Sequence, residues 1–274
     1  MTAWYAILLG LVQGLTEFLP VSSSGHLVLL QRFLGTGGVD PLLLDVWLHM
    51  GTLWAVLLCY REDLAALTRA GWGLLRGRRD DARLLWLLLC ALAPMALAPL
   101  LMGPAERFFS APAAVGCLLP VTALLLWLAD RAVHAADERL LKTEKTAGWR
   151  DALTVGCFQL AALLPGISRS GAAAAGGCLR GFSRDFAVRF SFLLSIPVIL
   201  GSGIATLPRL IALWPALRAD PAALTACAAG MLTAALSGIA AISLVRRLAA
   251  RTFAPFVLYC LLAGAAVLAG TIGS

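Results

Sequence analysis

Charge is scarce in this sequence. Only 14% of its 274 residues are Asp, Glu, Lys or Arg, against 60% hydrophobic residues and a mean hydropathy of +0.86. Water-soluble domains are about 45–50% apolar and about 25% charged. So large an apolar excess cannot be buried in one water-soluble core, which excludes a soluble globular protein and leaves an integral membrane protein. Paired cysteines are lacking too. The seven cysteines lie in or beside apolar segments with no C-x-x-C pair and no Cys/His cluster, so they read as small core hydrophobes rather than a disulfide frame or zinc site. The start, 1-MTAWYAILLGLV-12, has no basic residues, which argues against a signal peptide and for retention in the mature chain. The net charge of +7 does not point to nucleic acid. Its basic residues, mostly Arg, crowd into short loops, as cytoplasmic loops beside an anionic leaflet do.

What is present is a series of apolar runs. Segments 41–60, 84–102, 113–129, 186–207, 222–245 and 253–272 are each near the ~20 residues that cross about 30 Å of hydrocarbon as a helix. Two further stretches, about 3–35 and 152–183, are interrupted by 19-LPVSSSGH-26 and 164-LPGISRSG-171. Loops 61–83, 131–150 and 246–251 are rich in Lys and Arg, while 103–112 and 208–221 are poorer, which places the first three inside and the other two outside. On that assignment each half of the chain is a broken hairpin followed by three spans, and the halves have opposite orientation. A shift of about 146 positions pairs Gly10 with Gly156, Gln13 with Gln159, Ser22 with Ser168, Ser24 with Ser170 and Gly25 with Gly171. The expectation is an all-α membrane protein with six transmembrane helices and two re-entrant hairpins. It forms a single domain, 1–274, built as an inverted repeat of 1–130 and 150–274. Irregular backbone at membrane depth is tolerated only in protein or beside a watery cavity, so the two broken loops are expected to meet near the bilayer midplane.

Together the loops offer Glu17, Ser22, Ser23, Ser24, Gly25 and His26 from one side and Gly166, Ser168, Arg169 and Ser170 from the other. An Arg at the membrane centre costs at least ~2.5 kcal/mol on insertion scales and needs an anionic partner or a watery cavity. Its planar fork suits phosphate, and the helices starting near Gly25 and Gly171 would aim free N–H groups at the same place. Phosphate is the expected ligand. Serine needs a base to become a nucleophile. His26 is a candidate for that base and later an acid, with Glu17 either orienting the histidine or ligating a divalent metal. Gln13 shares the face of Glu17, and Asp45 and His49, one turn apart, are candidates to approach the site. For Gln159 a helix–helix hydrogen bond is expected, and for Arg180, Arg184 and Arg189 head-group or topogenic roles.

At these residues the sequence resembles the bacitracin-resistance type of undecaprenyl-diphosphatase, the BacA/UppP family. The resemblance rests on Gln13 to Glu17 followed by 20-PVSSSGH-26, on 165-PGISRSGAA-173 and on 190-FSFLLSIPVILG-201, and covers essentially the whole chain. It implies hydrolysis of undecaprenyl diphosphate to the monophosphate and inorganic phosphate, recycling the lipid carrier for peptidoglycan. It also implies an inner-membrane location with the site facing the periplasm or exterior, and a divalent cation, Mg²⁺ or Ca²⁺. By position it makes Glu17, Ser23, Ser24, His26 and Arg169 the main site residues, with Gln13, Ser168 and Ser170 in support. Gln13 stands where many members have Glu, leaving Glu17 as the only acid of the motif and Asp45 as a second metal candidate. Ala173 replaces the usual Thr; one lost contact is worth about 1 kcal/mol, so weaker activity is expected. No His follows Arg169, which excludes a phosphohistidine mechanism. Ser23 is the expected nucleophile, with a metal-activated water as the rival. Expected partners are the polyprenyl diphosphate, membrane lipids and a second copy of the chain. A transporter or flippase of polyprenyl phosphates is the alternative, since inverted repeats with broken helices also build transporters.

Overall fold

The computed structural model describes residues 3–34, 41–78, 82–109, 111–249 and 251–272. Among these the chain is helical throughout, apart from turns and one isolated bridge between Lys142 and Phe182. Five stretches are long and apolar enough to cross a membrane. The first, Arg83–Phe109, comprises α5 (Arg83–Leu92), a 3₁₀ segment (Ala93–Leu97) and α6 (Ala98–Phe109). The others are α7 (Pro112–Ala135), α10 (Arg184–Ala219), α11 (Pro221–Ala249) and α12 (Ala254–Ile272). Helix α3 (Pro41–Cys59) is apolar but its described part is shorter. The two interrupted stretches are helix pairs: α1 (Ala3–Phe18) with α2 (Ser23–Leu34), and α8 (Trp149–Ala161) with α9 (Arg169–Leu179). This is a multi-pass membrane architecture.

Three expected loops are different in the structure. Much of the Arg-rich 61–83 segment is a helix, α4 (Arg61–Leu75). Its first turn carries Glu62 and Asp63, which favour a helix N-terminus. The 208–221 loop does not exist as such. Helix α10 runs on to Ala219 through Pro197, Pro208 and Pro215, and the turn is a single residue, Asp220, whose Oδ1 accepts from the N–H groups of Ala222 and Ala223. The 103–112 loop is also mostly helix, since α6 reaches Phe109 and α7 starts at Pro112.

Close helix crossings set the position of the broken pairs. Helix α1 packs on α11, and a Cβ added at Gly14 would meet the backbone of Gly238 at 2.9 Å. Helix α8 packs on α5 and the 3₁₀ segment, where a Cβ at Gly156 would meet Pro94 at 3.0 Å. Small residues let helix backbones approach where lipid supplies no hydrophobic driving force. Around the first loop, Phe18 meets Phe192 edge-on at 5.5 Å and Tyr60 meets Phe192 at 5.9 Å. A second aromatic cluster joins Phe182, just before α10, to Phe186 and Phe190 in its first turns.

Candidate functional site

Both helix pairs break at a loop that places a serine just before the second helix. The first loop leaves α1 at Phe18, turns tightly at Leu19–Val21 with the Val21 N–H on the Leu19 carbonyl at 2.8 Å, and enters α2 at Ser23. Ser22 has φ +71°, a left-handed conformation that is uncommon for a residue with a side chain. The second loop enters α9 at Arg169 through Ser168, whose Oγ accepts from the Gly171 N–H at 3.2 Å, an N-cap. Ser22 holds the matching position before α2, its Oγ 3.4 Å from the Gly25 N–H. Gly166 has φ +107°, and a Cβ there would meet Leu118 at 2.7 Å, so only glycine fits.

The loops meet. The Gly166 N–H donates to Ser22 Oγ at 3.0 Å, and the Ser170 hydroxyl donates to the Leu19 carbonyl at 3.3 Å. Gly25 lies against this junction, where a Cβ would meet Gly166 N at 3.3 Å. Helix α7 braces the second loop through Thr122, whose hydroxyl donates to the Gly166 carbonyl at 2.9 Å and accepts from the Ser168 N–H at 3.0 Å. In each loop a pair of hydroxyls is close: Ser22 and Ser24 at 3.4 Å, Ser168 and Ser170 at 3.3 Å.

Glu17 is where the two loops act on one group. The residue is 5% exposed. One oxygen accepts from the Arg169 guanidinium, and the other accepts from the Ser23 hydroxyl at 2.5 Å and the Gln13 amide at 3.1 Å. His49 brings Nε2 to 3.7 Å of the same oxygen. Ser23 and Arg169 are the first residues of their helices, so two helix N-termini and two first-turn donors face one carboxylate. Such a place favours negative charge.

The structure corrects four expectations. His26 is not on Ser23 or Ser24. Its Nδ1 is bonded to the Ser22 carbonyl at 2.7 Å, and its Nε2 lies 2.6 Å from the Tyr259 hydroxyl of α12. The helical turn from Ser22 to His26 is the reason, because the ring folds back on the carbonyl four residues earlier. Glu17 does not orient His26; it is occupied by Arg169, Ser23 and Gln13. Gln159 makes no helix–helix bond: it is 1% exposed and neither end of its amide has a partner among the described residues. Arg180, Arg184 and Arg189 are not free head-group anchors but pair with Asp151, Asp130 and Asp63, respectively. Of Asp45 and His49, His49 reaches Glu17, while Asp45 accepts from Gln31 at 2.9 Å. Ala173 is buried in the core of α9. Thr122 and Tyr259 were not foreseen. The signal for each is a single polar side chain within an otherwise apolar run.

The loops supply one carboxylate, and no group of three or more His, Cys, Asp or Glu that could hold a metal ion occurs among the described residues. Mg²⁺ and Ca²⁺ are caged by several hard oxygen ligands, and Glu17 is already committed to three donors. Among the described residues, therefore, the side chains form no cation cage.

A family model described as bacitracin resistance protein BacA matches residues 6–266. The chain is similar to the undecaprenyl-diphosphatase of Gemmatimonas aurantiaca, 42% identical over 98% of both chains. It is 42% identical to the undecaprenyl-diphosphatase of Carboxydothermus hydrogenoformans over 76% of this chain and 74% of that one. To undecaprenyl-diphosphatase 2 of Stutzerimonas stutzeri it is 38% identical over 96% of each.

Proposed function

The chain belongs to the bacitracin resistance protein BacA family, and we propose that it hydrolyses undecaprenyl diphosphate to undecaprenyl phosphate and inorganic phosphate, renewing the lipid carrier of cell-wall synthesis. The observation that carries this reading is the meeting of Ser23 and Arg169, each the first residue of its helix, on the buried Glu17. A terminal phosphate entering between the two helix starts exchanges Glu17 for its own oxygens on Arg169, which can grip it in bidentate fashion. Ser22, Ser24, Ser168 and Ser170 lie in the same two loops, where Ser22, Ser168 and Ser170 join and cap the helix starts that would receive the phosphate.

Ser23 is the nucleophile in this reading, and the base within hydrogen-bond reach of it is Glu17 rather than His26. The Ser23 oxygen bonds to the terminal phosphorus as its proton passes to Glu17, and the bond from that phosphorus to the bridging oxygen breaks, releasing undecaprenyl phosphate. Water then cleaves the phosphoserine to inorganic phosphate. In that step Glu17 returns its proton to the Ser23 oxygen while the water's proton leaves with the phosphate; His26 has both ring nitrogens engaged, by the Ser22 carbonyl and the Tyr259 hydroxyl. A divalent cation, Mg²⁺ or Ca²⁺, would come with the diphosphate and be held by the substrate's own oxygens, since both Glu17 oxygens are committed to Arg169, Ser23 and Gln13.

The membrane arrangement belongs to the same proposal: six spans, α3 included, and two re-entrant pairs in an inverted repeat of 1–130 and 150–274 within one domain. We place the chain in the inner membrane with the site open to the periplasm or exterior, acting on a polyprenyl diphosphate among membrane lipids, as a monomer or homodimer. Two observations support the repeat. The loops cap their helices alike, and α1 packs on α11 as α8 packs on α5. Phosphate release from undecaprenyl or farnesyl diphosphate by the purified chain in detergent tests the activity. Release is expected with Mg²⁺ or Ca²⁺ present, and Arg169→Ala should lower it by at least about 100-fold, the scale of one lost charge-stabilising donor. A helical, folded preparation that releases none with either metal overturns the reading.

A further inference from the structure

We propose that Thr122 is the positioning residue of Arg169, a role that rests on reading the two loops as the phosphatase site. A threonine inside a helix commonly satisfies its hydroxyl on its own backbone. Thr16, Thr68, Thr154, Thr206, Thr225 and Thr233 do so, each donating to the carbonyl four residues back. Thr122 does not. It is fully buried in α7, and its hydroxyl leaves that helix for the loop that carries Arg169, 44 and 46 residues away in the chain. There it donates to the Gly166 carbonyl at 2.9 Å and accepts from the Ser168 N–H at 3.0 Å. With its one proton in the first bond and a lone pair in the second, the hydroxyl has a fixed orientation.

These two bonds complete the backbone of the loop. The Gly166 N–H goes to Ser22 Oγ at 3.0 Å and the Ile167 N–H to the Leu164 carbonyl at 3.1 Å. The Gly166 carbonyl and the Ser168 N–H have no partner other than Thr122 among the described residues. Steric contact agrees: a Cβ at Gly166 would meet the Val115 carbonyl at 3.0 Å, so the loop backbone lies directly on α7. Ser168 is the N-cap of α9 and Arg169 its first residue, so whatever holds Ser168 sets the root of the arginine. This matters most with substrate bound. The proposed reaction takes Arg169 off Glu17 and onto phosphate, so the ion pair that links the loops is given up. The side chain then moves while its root must stay, because a bidentate grip needs the planar fork aligned as well as near. The Thr122 bonds are made to backbone that keeps its partners through that exchange.

The test compares the full chain in detergent with Thr122→Val, Thr122→Ser and Thr122→Ala. Threonine and valine share a shape with and without the hydroxyl, and serine and alanine differ by the hydroxyl alone, so the second pair decides the matter if Thr122→Val does not fold. Thr122→Val and Thr122→Ala are expected to lower kcat by about 10- to 100-fold, the scale of an ångström's misplacement, while Thr122→Ser keeps most of the parent's rate. Both should also weaken inhibition by inorganic phosphate roughly tenfold, the worth of one hydrogen bond to a charged group. Loss of folded protein lowers turnover but leaves that inhibition constant alone, so an unchanged constant overturns the proposal. A Thr122→Ser variant as impaired as Thr122→Ala also overturns it, because the methyl's packing is then the cause. Amide hydrogen exchange over residues 164–171 reads the brace without turnover; it should quicken in Thr122→Val and Thr122→Ala and stay slow in Thr122→Ser. Unchanged exchange in Thr122→Ala overturns the proposal whether or not the chain is active. An inactive parent whose exchange still quickens on losing the hydroxyl sinks the phosphatase reading and leaves Thr122 as the anchor of the Arg169 loop.

Discussion

Glu17 and Arg169 form an ion pair in which both groups are withdrawn from water, the side chains being 4% and 17% exposed. A buried pair is a poor source of net stability, but removing one partner strands the other and costs about 3–5 kcal/mol. Arg169→Ala should therefore melt at a lower temperature than the parent, and not merely lose activity. Adding Glu17→Gln to that variant removes the stranded charge. The double variant is expected to regain much of the lost melting temperature in detergent while remaining inactive, a divergence that thermal unfolding and phosphate release read separately. A double variant as unstable as Arg169→Ala would show that the cost lies in packing. The members of this site were legible in the sequence because Glu17, Ser22, Ser23, Ser24 and Arg169 interrupt apolar runs, where polar groups need a reason to be. Their pairing was not. Which base serves Ser23 depends on side-chain direction within one turn: Glu17 faces it from the end of α1, and His26 turns back on the Ser22 carbonyl. Neither direction is encoded in spacing.

At the scale of the element, the site depends on how closely α1 and α8 approach their neighbours. A Cβ on Gly14 would fall against Ser237 and the Ala234 carbonyl of α11, with the Gly238 backbone at 2.9 Å. Gly14 sits between Gln13 and Glu17 in the same helix, so a displaced α1 carries the carboxylate with it. Gly14→Leu should cost more than the ~1–3 kcal/mol of ordinary overpacking, because backbone rather than a movable side chain stands in the way. It should abolish most phosphate release. Leu11→Ala, on the exposed face of α1, is the control and should leave both melting temperature and activity near the parent's; equal damage from the two changes would refute the crossing as the cause. The long apolar helices were legible from run length alone. The ends were less so, because Pro208 and Pro215 read as loop residues whereas α10 absorbs them and leaves the turn to Asp220. Proline is tolerated inside membrane helices where neighbours satisfy the freed groups.

Across the whole molecule, one set of ion pairs ties together helices that are far apart in the chain. Asp130 of α7 accepts from Arg184 of α10 at 3.0 Å and from the Thr252 hydroxyl and Phe253 N–H at the start of α12 at 2.6 and 2.7 Å. Arg189 of α10 bonds Asp63 of α4 and Glu144 of the α7–α8 connection. Asp151, in the first turn of α8 and outside the five spanning stretches, takes Lys142 at 2.8 Å and Arg180 at 2.9 Å. The arginines were visible in the sequence as topogenic charge. Their partners were not, because separations of 29, 54 and 126 residues leave no local pattern. Asp151 makes the network pH-dependent with a definite sign. Burial raises its pKa, but the bonds from Lys142, the Gly148 N–H and Arg180 outweigh it and hold the carboxyl below its ordinary value of 3.8. A folded pKa below the unfolded one means the unfolded chain binds the proton more readily, so the stabilisation is complete above the ordinary value and is lost as pH falls through the folded one. The melting temperature in detergent should accordingly be insensitive to Asp151 titration between about pH 5 and 7 and fall on acidification below about pH 4. Asp151→Asn should start lower and fall less steeply over the acid range, because the group that loses its charge in the parent is already neutral. Parallel acid limbs in parent and variant would remove Asp151 from the account.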